Sequence, residues 1–118
     1  MTAKIIDGKS IANDLLDTVR KLILFNKTEG IRNPCLAVIL IGDNPASHVY
    51  VRNKKLACEK VGIKSLSYDF DESITEQELL KLVKDINLNS EIDGILIQSP
   101  IPNHIDEDNI IKAIDPLK

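Results

Sequence analysis

The chain has 118 residues, 43% of them hydrophobic, enough for one core and one domain over residues 1–118 but not for two. Its 15 basic residues are balanced by 18 acidic ones and aromatics make up 3% with no tryptophan, so neither a basic face for nucleic acid nor a stacking platform for its bases is expected. Apolar stretches are too short for a membrane span, the amino terminus lacks a signal peptide's apolar core, and Cys35 and Cys58 lack metal-ligand spacing, so we expect the reduced thiols of a cytoplasmic protein and no metal.

No repeat or Pro/Gly/Ser linker divides the chain. Asp7 is the expected N-cap of a long first helix, in which Ile11, Leu15, Leu16, Val19, Leu22 and Ile23 recur at helical spacing until Asn26 and Gly30. That helix is expected to lie on a sheet. Cys35 to Ile41 is an unbroken apolar run rich in Val and Ile, the pattern of a strand covered on both faces, and Gly42 ends it. A second helix follows, with Asn44 as N-cap, Pro45 at its first position and Gly62 where a left-handed cap belongs. Ser65 to Phe70 alternates Leu66, Tyr68 and Phe70 with smaller or polar residues and predicts a strand packed through one face. Thr75 and Glu78 form a capping box opening a third helix through Leu79, Leu82, Val83 and Ile86. Gly94 to Gln98 is a further short strand. A Ser-Pro-Ile-Pro turn then leads to a last helix through Ile110, Ile111 and Ile114, begun by Asp106 or Asp108 and closed by Pro116. Strands alternating with helices predict a three-layer α/β/α domain with a mostly parallel sheet and right-handed crossovers.

Chemistry is sought on the second helix. Steps of roughly 100° place Ala46, Val49, Leu56 and Ala57 on one side and His48, Arg52, Lys55 and Glu59 opposite, on a solvated face. Lys54 falls on the flank of the apolar side, one turn after Tyr50 and two after Ser47, so the three make a polar strip beside the core. A lysine there can run its methylenes along apolar surface and hold its amine in a cleft, within reach of a proton-transfer reaction. By pattern alone each residue also has a plainer reading: Lys54 as a snorkelling surface lysine, Tyr50 as a packing residue, Ser47 as support for the cap, His48 as a surface histidine. Asn53 falls near the middle of the apolar side and reads as a satisfied buried amide.

Open parallel sheets bind ligands beyond the carboxyl ends of their strands, and two loops here leave such ends, Gly42 to Ser47 and Gln98 to Pro102. With both strands parallel, Gln98 faces the Tyr50 and Lys54 side of the helix, where its amide can orient the amine without binding its charge as a carboxylate would. No glycine-rich phosphate loop and no G-x-G-x-x-G fingerprint occur, so the chain brings no dinucleotide site.

The stretch from Gly42 through Asn44-Pro45-Ala46-Ser47 and Tyr50-Val51-Arg52-Asn53-Lys54 to Gly62-Ile63 resembles the first signature of the methylenetetrahydrofolate dehydrogenase/cyclohydrolase family. Asp93-Gly94-Ile95-Leu96-Ile97-Gln98-Ser99-Pro100-Ile101-Pro102 resembles its second, and Asp7-Gly8-Lys9 agrees as well, so the resemblance covers essentially the whole chain. It implies that Tyr50 stacks on or orients the folate pterin, that Lys54 is the catalytic lysine, that Gln98 positions it, and that Ser47 and Pro100 lie with them in the substrate cleft. It further implies a tetrahydrofolate derivative as substrate, hydride transfer to NADP, hydrolysis of the methenyl product to formyltetrahydrofolate, and a homodimer. Two departures stand out. Ser99 occupies a place where the family usually has leucine, and the sequence ends at Asp115-Pro116-Leu117-Lys118, short of the family's next motif and of its NADP-binding Rossmann half. The expectation is therefore an amino-terminal catalytic domain. A non-catalytic folate-binding module, or a substrate domain of the shikimate-dehydrogenase kind, are the alternatives.

Overall fold

Each stretch with its own start and stop signals becomes one element in a computed structural model that describes residues 2–118. The order is α1 (Gly8–Thr28), β1 (Cys35–Ile41), α2 (Pro45–Val61), β2 (Lys64–Phe70), α3 (Glu76–Asn87), β3 (Gly94–Ile97) and α4 (Glu107–Ala113). The caps read from the sequence close the helices. Asp7 accepts from the Ser10 amide, Asn44 from those of Ala46 and Ser47, and Thr75 and Glu78 complete their reciprocal box. Asp106 rather than Asp108 is the last helix's N-cap. Gly62 ends α2 at φ 93°, a left-handed conformation that a side chain disfavours, and a Cβ there would also come 3.3 Å from Ile23 of α1.

The strands form one parallel sheet in the order β2-β1-β3. The central place of β1 explains its unbroken apolar run, because both its faces are covered. Ala37, Ile39 and Ile41 point into a core closed by Leu79, Val83 and Ile86 of α3 and Ile110 of α4. Val38 and Leu40 point the other way and meet Val51 of α2. The expected three-layer α/β/α architecture is therefore present. On edge strand β2, Leu66, Tyr68 and Phe70 are partly buried while Ser67 and Asp69 between them are exposed, as the alternation predicts.

The first helix departs from expectation. It packs chiefly on α2 rather than on the sheet, buries only Ile23, and leaves Ile11, Leu15, Leu22 and Phe25 exposed. The radius of gyration, 16.9 Å, exceeds the roughly 13–14 Å typical of a compact domain of this length because α1 stands outside the three layers.

Asp93 locks the start of the sheet. Its carboxylate accepts from the Cys35 amide at 2.9 Å and from both ends of the Arg32 guanidinium at 2.7 and 2.9 Å. The Arg32 hydrogen bonds, followed by that of Cys35, hold the Asp93 carboxyl below the usual carboxylate range. A carboxyl with its folded pKa depressed binds protons less readily than in the unfolded chain, so its contribution is present above the unfolded pKa of about 4 and is lost as pH falls through the folded value. Asp93→Asn should therefore lower the melting temperature at neutral pH and show a shallower decline on acidification below about pH 4 than the parent protein, measured by thermal denaturation across pH.

Candidate active site

Two elements bring the predicted residues together. α2 starts immediately after the carboxyl end of β1, and β3, hydrogen-bonded beside β1, ends at Ile97 with the Gln98 amide donating to the Ile39 carbonyl at 2.9 Å. The carboxyl ends of both strands therefore face the first turns of α2. Across that gap Lys54 Nζ donates to Gln98 Oε1 at 2.6 Å. Lys54 has no carboxylate partner among the described residues, so a neutral amide holds its amine. The nitrogen also lies 5.9 Å from the centroid of the Tyr50 ring, itself 57% exposed one turn earlier.

The face of α2 that turns inward differs from the one the hydrophobic pattern selects. Ser47, Val51, Cys58 and Val61 are the helix's buried residues, spaced so that partly buried Lys54 completes their stripe, whereas Val49 and Leu56 are exposed. Lys54 thus belongs to the middle of the inward stripe rather than its flank. Asn53, read as a buried amide, is exposed, and His48 stands on the exposed side with its Nε2 3.3 Å from the Gly42 carbonyl. Burial raises the pKa of the Cys58 thiol, which keeps it protonated and unreactive.

Only 1% of Ser47 is exposed, and its hydroxyl donates to the Ser99 carbonyl at 3.3 Å, so it holds the loop that follows β3. That same carbonyl accepts from Gln98 Nε2 at 3.1 Å. The Ser99–Pro100 peptide is cis. Pro100 lines a cavity of about 360 Å³ with the Gly42-Asp43-Asn44 loop, at the strand ends where a ligand is expected. A larger depression, about 550 Å³, lies between the end of β2 and α3, rimmed by Asp71, Glu78 and Asp85, and contains none of the predicted residues. Glu107, which the sequence reading did not single out, accepts a hydrogen bond from the Ser99 hydroxyl. Its signal was available in the N-cap at Asp106, which puts Glu107 in a first helical turn close after the Ser-Pro-Ile-Pro turn.

A model of the tetrahydrofolate dehydrogenase/cyclohydrolase catalytic domain matches residues 6–118. The chain belongs to that family. Its curated relatives in the tetrahydrofolate dehydrogenase/cyclohydrolase family include the bifunctional protein FolD of Agathobacter rectalis, 54% identical over 98% of this chain and 41% of its own length. Among solved structures, the FolD methylenetetrahydrofolate dehydrogenase/cyclohydrolase of Campylobacter jejuni superposes with a TM-score of 0.92 at 45% identity, over 95% of this chain and 39% of that one. A Trypanosoma brucei member of the family, crystallised with NADP cofactor and an inhibitor, gives a TM-score of 0.90 at 28% identity over 98% of this chain and 40% of its own. The chain thus spans about two fifths of the length of such relatives.

Removing the Ser47 hydroxyl takes one of two donors from a carbonyl in the floor of the site. Ser47→Ala should cost about 1 kcal/mol of unfolding free energy, read from urea denaturation with an unchanged m-value.

Proposed function

We propose that this domain carries the catalytic lysine of a bifunctional enzyme that oxidises methylenetetrahydrofolate to methenyltetrahydrofolate with NADP and hydrolyses that product to formyltetrahydrofolate, in one-carbon folate metabolism. The observation that carries the reading is the 2.6 Å hydrogen bond from Lys54 Nζ to Gln98 Oε1, at the strand ends and beside the exposed Tyr50 ring. Tyr50 offers its face to the flat pterin, and Pro100 offers the wall of the adjoining cavity. Gln98 fixes the amine through a neutral amide rather than a carboxylate, and Lys54 is the proton carrier of the proposal.

In the hydrolytic step a water oxygen bonds to the methenyl carbon and the cation's charge is neutralised as the water loses a proton. Breaking one of the two carbon–nitrogen bonds then leaves a formyl group on the other nitrogen. Of the water's two protons, one ends on the departing nitrogen and one is released. Lys54 is the group that relays the first of these, and Gln98 keeps it aimed at the carbon.

The residues present do not build an NADP site. The amides that open α2 are already taken by the Asn44 side chain, Pro45 contributes none, and no glycine-rich turn precedes the helix. We propose that NADP is held by a Rossmann domain of the kind the family resemblance implies, and derive no step through it. The homodimer and the cytoplasmic location belong to the same proposal. Two buried free cysteines support a reducing compartment, and no helix among the described residues is long and apolar enough to cross a membrane.

Lys54→Met in the full-length gene product should reduce both NADP-dependent oxidation and methenyl hydrolysis by at least about 100-fold, the usual size of a lost acid–base group, while folate binding persists. Unchanged rates in both assays would remove the assignment, and folate binding without turnover in the parent protein would favour the non-catalytic binding module.

A further inference from the structure

Proline at position 100 leaves the loop after β3 without an amide donor at the point where it turns, so the Ser99–Pro100 peptide has to be held through the Ser99 carbonyl and side chain. Both are engaged. From the α2 side, Ser47 Oγ donates to the Ser99 carbonyl, and from the opposite layer Glu107 accepts from the Ser99 hydroxyl. Glu107 is itself on a fixed base. It follows Asp106, whose amide donates to Glu76 Oε1 of α3 at 2.6 Å, and it precedes Ile110, fully buried in the core. The loop is thus gripped from both faces of the sheet.

What the grip controls is the direction of one amide. Gln98 Nε2 donates to the Ser99 carbonyl at 3.1 Å, which turns Oε1 toward Lys54. If the Ser99 carbonyl swings away, Gln98 Nε2 loses its acceptor, and the amide is held only by the bond from Lys54 that it is meant to aim. An apolar side chain at position 99 would have to hold this turn by packing. With serine there, a hydrogen bond to Glu107 does so.

We propose that Ser99 and Glu107 are positioning residues for the reaction, a hydrogen-bonded clamp that sets the Gln98 amide and through it the Lys54 amine. The inference rests on the reading of Lys54 given above. Neither residue touches the reacting atoms, so its loss lowers turnover and leaves substrate affinity nearly alone.

The test is steady-state methenyltetrahydrofolate hydrolysis by the full-length gene product carrying Ser99→Ala, Ser99→Thr, Glu107→Ala, Glu107→Gln or Lys54→Met. We expect Ser99→Ala and Glu107→Ala each to lower kcat on the order of 10-fold with KM changed less than about 2-fold. Ser99→Thr, which keeps the hydroxyl, and Glu107→Gln, which keeps an acceptor oxygen, should return kcat to within about 2-fold of the parent. Melting temperatures are followed in parallel, and Glu107→Ala, at a partly exposed position, carries the test if Ser99→Ala does not fold. Parent-like kcat in both alanine variants, a rise in KM alone, or a Glu107→Gln as impaired as Glu107→Ala would overturn the clamp. If those results come with an inactive Lys54→Met, the clamp fails alone; a fully active Lys54→Met removes the underlying reading and the clamp with it.

Discussion

Lys54 and Gln98 are 44 residues apart in the chain, and their 2.6 Å hydrogen bond depends on β3 pairing in parallel beside β1. With β3 beside β1, the carboxyl end of one strand lies under the helix that leaves the other. Every feature near the site serves that meeting. Asn44 and Pro45 fix where α2 begins, so the side chains two and three turns in reach the strand ends. Val38, Leu40 and Val51 press the helix onto the sheet, and Ile39 anchors the backbone of Gln98 itself.

The elements were legible because each carries local chemistry at its ends. An N-cap side chain, a capping box or a glycine with φ above zero works through neighbours a few residues away, so sequence spacing alone reveals it. The all-apolar run of β1 likewise announced a strand covered on both faces. The inward face of α2 was not legible by the same logic. Hydrophobic pattern pointed to Val49 and Leu56, yet the helix turns Ser47 and Lys54 inward and leaves those two exposed. A polar serine and a lysine on the inward stripe, with apolar residues outside it, break the amphipathic rule where a site is built. Family resemblance, rather than periodicity, singled Lys54 out. Glu107 escaped both, because the Asp106 cap places it in a first helical turn without showing that the loop after β3 reaches it.

The outward-facing apolar residues fit one further pattern. Val49 and Leu56 on α2, and Ile11, Leu15 and Leu22 on α1, which packs against α2 outside the three layers, are exposed hydrophobic side chains. Burying each such side chain is worth on the order of 1.5–3 kcal/mol, which a domain of this size does not ordinarily leave unused.

The proposal places a folate where Tyr50, Lys54 and Gln98 converge. A crystal structure of the full-length protein with a non-reactive folate analogue tests it most directly. The pterin is expected against the Tyr50 ring, with Lys54 Nζ still held by Gln98 and turned toward the ligand's one-carbon position. An analogue seated elsewhere, such as the depression beside Asp71 and Lys81, with Lys54 free of it, would contradict the account.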